Sequence, residues 1–246
     1  ALTKVGFVPR QLPPARIKAF GRSKGGKAKT DPIDARLICR FMMENPGAGK
    51  LLQPQILRDL NALTAKRRQL VKIRAMLACQ RHHQRGAFID ALGQEHATLL
   101  DAQIKAVETR IKELIEQDEE LAAKAERLTS VPGVGPVTAM TLLGEMHELG
   151  QVSGKQIAAL AGLAPIARDS GSKQGKRFIN GGRKPVRDTL YQAALVATQH
   201  NKPLKDFFQR LKQTGKPVKA ALIAVARRLI TILNAIIAKK QMWRPA

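Results

Sequence analysis

The strongest periodic pattern lies in the middle of the chain. Leu100, Ile104, Val107, Ile111, Leu114 and Leu121 recur mostly at three- and four-residue steps, with Glu and Lys between them. That is the pattern of an amphipathic helix of coiled-coil character. Upstream, Ile56, Leu60, Leu63, Leu70, Ile73 and Leu77 form a second stripe, with a break expected near Gly86 and Gly93. Two long antiparallel helices, or a coiled coil joining two chains, satisfy both stripes. Toward the N-terminus, Val5–Val8 reads as a short buried strand and Gly21–Lys29 as a loop, with a helix beginning at Thr30-Asp31-Pro32. Toward the C-terminus, Leu128–Met146 reads as two helical stretches around a glycine turn. A loop at Arg168–Arg187 follows, then helices over Pro185–Gln199 and Lys216–Ala238. The expected fold class is mostly α.

Charge changes this picture more than composition does. The 246 residues are 44% hydrophobic, enough to bury a core, yet they carry 43 Lys plus Arg against 19 Asp plus Glu, a net charge of +24. A field of that size attracts polyanions, nucleic acid first and an anionic membrane surface next. By segment the net charge is +8 over 1–50, +7 over 51–86, −5 over 87–127 and +14 over 128–246. It therefore reads as a two-ended nucleic-acid grip interrupted by one acidic helix. No uninterrupted run of ~18 apolar residues occurs, which argues against a membrane-spanning helix, and no long helix pairs a basic face with bulky aromatics, which argues against a membrane-surface role. Cys39 and Cys79 are the only cysteines. They rule out a disulfide scaffold or a cysteine-rich zinc module and fit a reducing, cytoplasmic compartment. The chain opens on Ala1 with no signal-peptide pattern and with a strand-like segment, so a missing N-terminal part is expected.

Three motifs carry candidate chemistry. The first is Pro132-Gly133-Val134-Gly135 between helical stretches, the pattern of a helix-hairpin-helix. Gly133 and Gly135 allow close approach of backbone N–H groups, and the following helix presents its positive end, an arrangement that grips phosphate without reading bases. An ordinary glycine turn is the plain alternative. The second is Asp31 and Asp34. The plain reading makes Asp31 the N-cap and Asp34 the third helical residue of a capping-box-like pair. The chemical reading has two carboxylates, three residues apart on one face, holding Mg²⁺. Glu44 is the only other acid nearby, so a two-metal centre would need carboxylates from elsewhere.

The third motif is Ser170, in a loop where Arg168, Lys173, Lys176, Arg177, Arg183, Lys184 and Arg187 face a single acid, Asp169. The serine could cap a helix or ligate phosphate. More sharply, it could attack a DNA phosphate while the cations stabilise the phosphorane-like transition state. No histidine lies in the loop, so a Ser-His-Asp triad is not indicated. Tyr191, the only tyrosine, has the spacing of a packing residue and is rejected as a nucleophile.

Five segments taken together carry a resemblance: KTDPIDARLI (29–38), SVPGVGPVTAMTLLGE (130–145), AGLAPIARDSGS (161–172), INGGRKPVRDTLYQAA (179–194) and GKPVKAALIAVARRL (215–229). In this order the chain resembles the bacterial insertion-sequence-110-type transposases, the DEDD serine recombinases, over nearly its whole length. The resemblance implies three parts. Residues 1–50 would be the C-terminal part of an RNase H-like α/β domain, 51–127 a coiled-coil linker, and 128–246 a helical transposase domain with the hairpin and the serine loop. It implies an Asp-Glu-Asp-Asp site for Mg²⁺ whose last two members match Asp31 and Asp34, and a nucleophile matching Ser170. It also implies DNA as substrate, a structured guide RNA, and a homo-oligomer, dimer or tetramer, in which the tetrad of one subunit meets the serine of another. The first Asp and the Glu of that tetrad have no match here, so the chain alone is expected to be defective in Mg²⁺-dependent chemistry. The alternative is a non-catalytic, basic DNA- or RNA-binding helical protein.

Overall fold

The computed structural model describes residues 9–25, 30–81, 86–166, 175 and 177–244. Two compact units divide the chain, residues 1–54 and 55–246.

In the first unit a two-residue strand β1 (Arg10–Gln11) pairs antiparallel with β2 (Lys50–Leu51) and closes around two helices, α1 (Pro14–Ser23) and α2 (Asp31–Glu44). The core is small. Phe41 and Ala48 are buried, and Phe20 meets Phe41 edge to face at 5.2 Å between ring centroids, a favoured aromatic geometry. Arg16 and Lys24 lie over these rings. The helix α1 continues through Gly21, Arg22 and Ser23, so the expected loop is shorter than Gly21–Lys29. Gly21 is buried against Leu37 of α2, and that packing holds the last turn of α1. Val5–Val8 lies outside the described residues.

The second unit is built from eight helices among the described residues: α3 (Gln55–Arg81), α4 (Ala87–Glu116), α5 (Glu119–Thr129), α6 (Pro136–Glu145), α7 (Gly154–Leu160), α8 (Lys184–His200), α9 (Lys202–Gln213) and α10 (Val218–Lys239), with a short ribbon of β3 (Pro165–Ile166) and β4 (Phe178–Ile179). The helices α3 and α4 pack along each other. Arg67 pairs with Glu108 at 2.6 Å and Arg74 with Asp101 at 2.6 Å. The partner number falls by seven as the first rises by seven, so the helices run antiparallel. The acidic helix therefore lies beside the basic α3 and offsets part of its charge.

Two expected boundaries shift. Gly93 lies inside α4, and the break falls before Ala87. The stripe that ran on to Leu121 is cut at Gln117–Asp118, where the Asp118 carboxylate accepts a hydrogen bond from the Leu121 N–H at 3.0 Å and starts a new helix. Competition of this kind from a short acidic side chain is what ends helices and begins others.

The helix α10 is the axis of the core. Val225, Ala226, Leu229, Ile230 and Leu233 are fully buried against α5, α7, α8 and α9. By length and composition α10 is apolar enough to cross a membrane, but 56% of its apolar window is buried inside this unit, as befits a core helix. Two buried amides fix the connections around it. Asn234 on α10 donates to the Val152 carbonyl and accepts from the Gly150 N–H, both at 2.8 Å. Asn201 caps α9 by accepting from the Leu204 N–H and reaches the Pro132 carbonyl at 3.5 Å.

Candidate active site

The carboxylates of the first unit sit at the start of α2. Thr30, in extended conformation, is the N-cap residue and makes no side-chain capping bond; Asp31 and Pro32 are the first two helical residues. The expected roles are thereby corrected. Asp31 is the first residue of the helix and not its cap, because Thr30 N-terminal to it already takes the extended conformation, and the bond closing the first turn runs from the Asp34 N–H to the Thr30 carbonyl at 2.9 Å. No capping box forms. Neither carboxylate has a hydrogen-bond or ion-pair partner among the described residues, Asp31 being exposed and Asp34 half-buried. Both lie within the first turn, where the helix dipole favours negative charge.

Glu44 does not join them. It ends the same helix, ten residues beyond Asp34 and about 15 Å along the axis. There Lys24 and Arg40 both bond its Oε1 at 3.2 Å, and the hydrogen bond from Lys24 is the main cause that holds its carboxyl below the ordinary value. No group of three or more metal-ligating side chains occurs among the described residues.

In the second unit Ser170, Arg168, Lys173 and Lys176 lie outside the described residues. Pro165 is opposite Ile179 and Ile166 opposite Phe178, so the segment carrying Ser170 departs from and returns to one place on the unit. The base of that ribbon is backbone packed on backbone. A Cβ on Gly182 would lie 2.2 Å from the Gly162 nitrogen, a distance no side chain tolerates, and both glycines have positive φ, +63° and +70°.

The neighbouring cations brace this base. The Arg183 guanidinium makes two bonds to the Glu148 carboxylate, both at 2.7 Å, the two-pronged geometry that most strengthens such pairs. Arg187 donates to the Gly181 carbonyl at 2.7 Å, and Lys184 pairs with Asp188 one turn along α8. Arg177, just before β4, is exposed. The sequence grouped Arg183, Lys184 and Arg187 as one basic loop; the fold gives each a partner within the chain. Glu148, which sequence reasoning passed over, is the anchor, and no spacing rule connects it to a residue 35 positions away.

The glycine turn is equally divided. Gly133 has φ +99°, and a Cβ there would lie 2.7 Å from the Ala197 backbone of α8; it permits contact between turn and helix. Gly135 is the N-cap of α6, is exposed, and has open space where a side chain would be. Of the two, only Gly135 faces outward.

Comparison with known proteins gives the class. Residues 1–84 match a transposase family model of the DEDD IS110 type, and residues 125–209 match that of the transposase IS116/IS110/IS902 family. The pilin gene-inverting protein of Moraxella bovis is 30% identical over 241 residues, covering 91% of this chain and 70% of that protein. The IS116 44.8 kDa protein of Streptomyces clavuligerus is 30% identical over 153 residues, covering 60% and 36%. The IS1111A transposase of Coxiella burnetii is 24% identical, with 96% of this chain and 73% of that protein aligned. The class is the insertion-sequence transposases, proteins that act on DNA. Within it, this chain belongs to the IS116/IS110/IS902 family.

Proposed function

We propose that the protein cuts and rejoins DNA through a serine–phosphate intermediate. The observation that carries the reading is the pair Asp31 and Asp34, two carboxylates in one helical turn with no partner among the described residues. Both carboxylates lie on one turn and remain available to a hard, oxygen-preferring ion such as Mg²⁺. The positive end of α2 opposes a cation there, so this pair needs further carboxylates to complete a site. When bound, the ion supplies Lewis-acid stabilisation of phosphoryl oxygens.

In this reading Ser170 Oγ gives its proton to solvent and attacks phosphorus. The new O–P bond forms as the bond to the leaving deoxyribose oxygen breaks, and that oxygen takes up a proton. Rejoining reverses the exchange with a deoxyribose hydroxyl as the attacking group, so the number of phosphate ester bonds is conserved. Arg168, Lys173, Lys176 and Arg177 stabilise the crowded anionic phosphorus, while Arg183, Lys184 and Arg187 hold the loop's base. Gly135 and the start of α6 offer backbone N–H groups to a DNA phosphate in a helix-hairpin-helix manner. A structured guide RNA supplies target choice, residues 1–50, 51–127 and 128–246 act as nuclease-like part, linker and transposase part, and the protein works as a homo-oligomer in the bacterial nucleoid. The outer halves of α3 and α4 support self-association: Ile73, Met76, Phe88, Ile89 and Leu99 are all exposed.

The test mixes this chain with element-end DNA, Mg²⁺ and a family subunit that has the full tetrad but alanine at its own serine. A denaturation-resistant protein–DNA adduct on this chain, lost in Ser170→Ala, is expected. An adduct that survives Ser170→Ala refutes the assignment, and no adduct under any condition favours a purely binding role.

A further inference from the structure

A second cationic feature lies away from the serine loop, where α9 meets α10. The Arg210 guanidinium carbon is 5.5 Å from the centroid of the Phe207 ring, and that of Arg228, from the other helix, is 4.7 Å from the same centroid. Sharing one ring, the two charges are separated by no more than the sum of those distances, about 10 Å, which is comparable to the Debye length at 0.1 M salt. Like charges held this close repel. The ring offsets part of that cost through its π face, but no carboxylate does. Neither arginine has an ion-pair partner among the described residues, and both are exposed. Asp206, one turn from Arg210, makes no pair with it, and α10 has no acidic residue at all. The contrast with α3 and α8 is direct, since Arg67, Arg74, Lys184 and Arg183 all have carboxylate partners.

We infer that Arg210 and Arg228 form a binding site for the phosphodiester backbone of duplex DNA, separate from the serine loop. An anion between or beside the two guanidinium groups relieves their repulsion and uses their fork-shaped donors. The ring they share fixes their positions beforehand. Duplex rather than single-stranded DNA follows from the aromatics. Phe207 and Phe208 are half-buried and covered by Arg210, Arg228 and Lys212, which leaves no open ring on which a splayed base could stack. Contacts of this kind position a duplex without reading its sequence. The proposal rests on the chain's being a DNA-acting transposase.

Fluorescence anisotropy of the full chain with a labelled random-sequence duplex, titrated with salt, tests it. Arg210→Gln/Arg228→Gln is expected to weaken binding about tenfold or more at 0.1 M salt. It should also reduce the log–log salt slope by about 2, the loss of two phosphate contacts. Arg210→Lys/Arg228→Lys, which keeps the charge, should retain most of the slope. Arg110→Gln/Lys124→Gln removes an exposed and a half-buried cation that already pair with Glu113 and Glu120 and should leave binding nearly unchanged. Equal weakening by both glutamine pairs overturns the inference in favour of a net-charge effect, and no weakening by the first overturns it outright. A single-stranded oligonucleotide bound as tightly as the duplex overturns the duplex assignment. No binding by the wild-type chain, with its helical circular dichroism intact, removes the DNA-acting reading as well, which distinguishes that failure from this one.

Discussion

Glu148 and Gly133 show most directly how single residues set this structure. The side chains of Arg183 and Glu148 are 24% and 13% exposed, so the pair is well shielded from solvent. Removing one partner leaves the other desolvated and unpaired, a cost of about 1–3 kcal/mol. Glu148→Ala is therefore expected to lower the melting temperature by several degrees and to speed amide exchange at Gly181–Arg183, read by calorimetry and hydrogen exchange. A variant that melts like the wild type would show that the ribbon base stands without this clamp. Gly133→Ala forces a side chain onto the Ala197 backbone at a positive φ and should destabilise by about 2 kcal/mol or more. Gly135→Ala meets open space at an ordinary φ and should be near neutral in stability. The sequence marked both glycines alike, because a P-G-x-G string does not say which glycine faces the protein. It marked Asp31 and Asp34 correctly as a pair on one turn but misplaced the cap by one residue, since Thr and Asp compete for that position on similar terms. Glu44 is the residue with a pH consequence. Its folded carboxyl is depressed below 4.5, chiefly by the hydrogen bond from Lys24. Its contribution to stability is thus present above the unfolded value and is lost as pH falls through the folded one. Carboxyl NMR of Glu44 should titrate below 4.5, and return toward it in Lys24→Ala.

Among the elements, those with strong periodicity were legible and those defined by junctions were not. Over α8 and α10 the structure agrees with the spacing of Ala, Leu and Ile within two residues at each end. The helix α9 went unread although Leu204, Phe207, Phe208 and Leu211 recur at helical spacing, because it is short and follows α8 across a single residue, Asn201. What starts α9 is a buried side chain, Asn201, as Asp118 starts α5. Asp118→Ala should cost about 1 kcal/mol, the usual value of an N-cap, measured as a shift in the denaturation midpoint with an unchanged slope. The same substitution at Asn201 should cost more, because its amide also holds the Pro132 carbonyl.

For the whole molecule, the division at Pro54 and Gln55 predicts that residues 55–246 form a cooperative folding unit of their own. Cleavage within Leu52–Pro54 should release a fragment that keeps its helical circular dichroism and melts in one transition; a fragment that melts without cooperativity contradicts the division. The net charge of +24 predicts DNA affinity that falls about 10³-fold between 50 and 200 mM salt if six phosphate contacts form. That affinity was foreseeable from composition. Which cations are free to provide it was not, because pairing depends on carboxylates brought in from distant sequence. The loop cations Arg183 and Lys184 are engaged, whereas Arg210 and Arg228, which no motif singled out, are not.

The same two helices bear on how the chain survives its own synthesis. Before α5, α7 and α8 close around it, α10 emerges from the ribosome as a 22-residue apolar stretch that a membrane-insertion apparatus could accept. Arg227 and Arg228 stand near its centre, and each costs about 2.5–3.5 kcal/mol to place at the middle of a bilayer. That cost opposes insertion of the nascent segment. Changing both to leucine should send a measurable share of newly made chain to the membrane fraction, even though neither arginine is needed to fill the core.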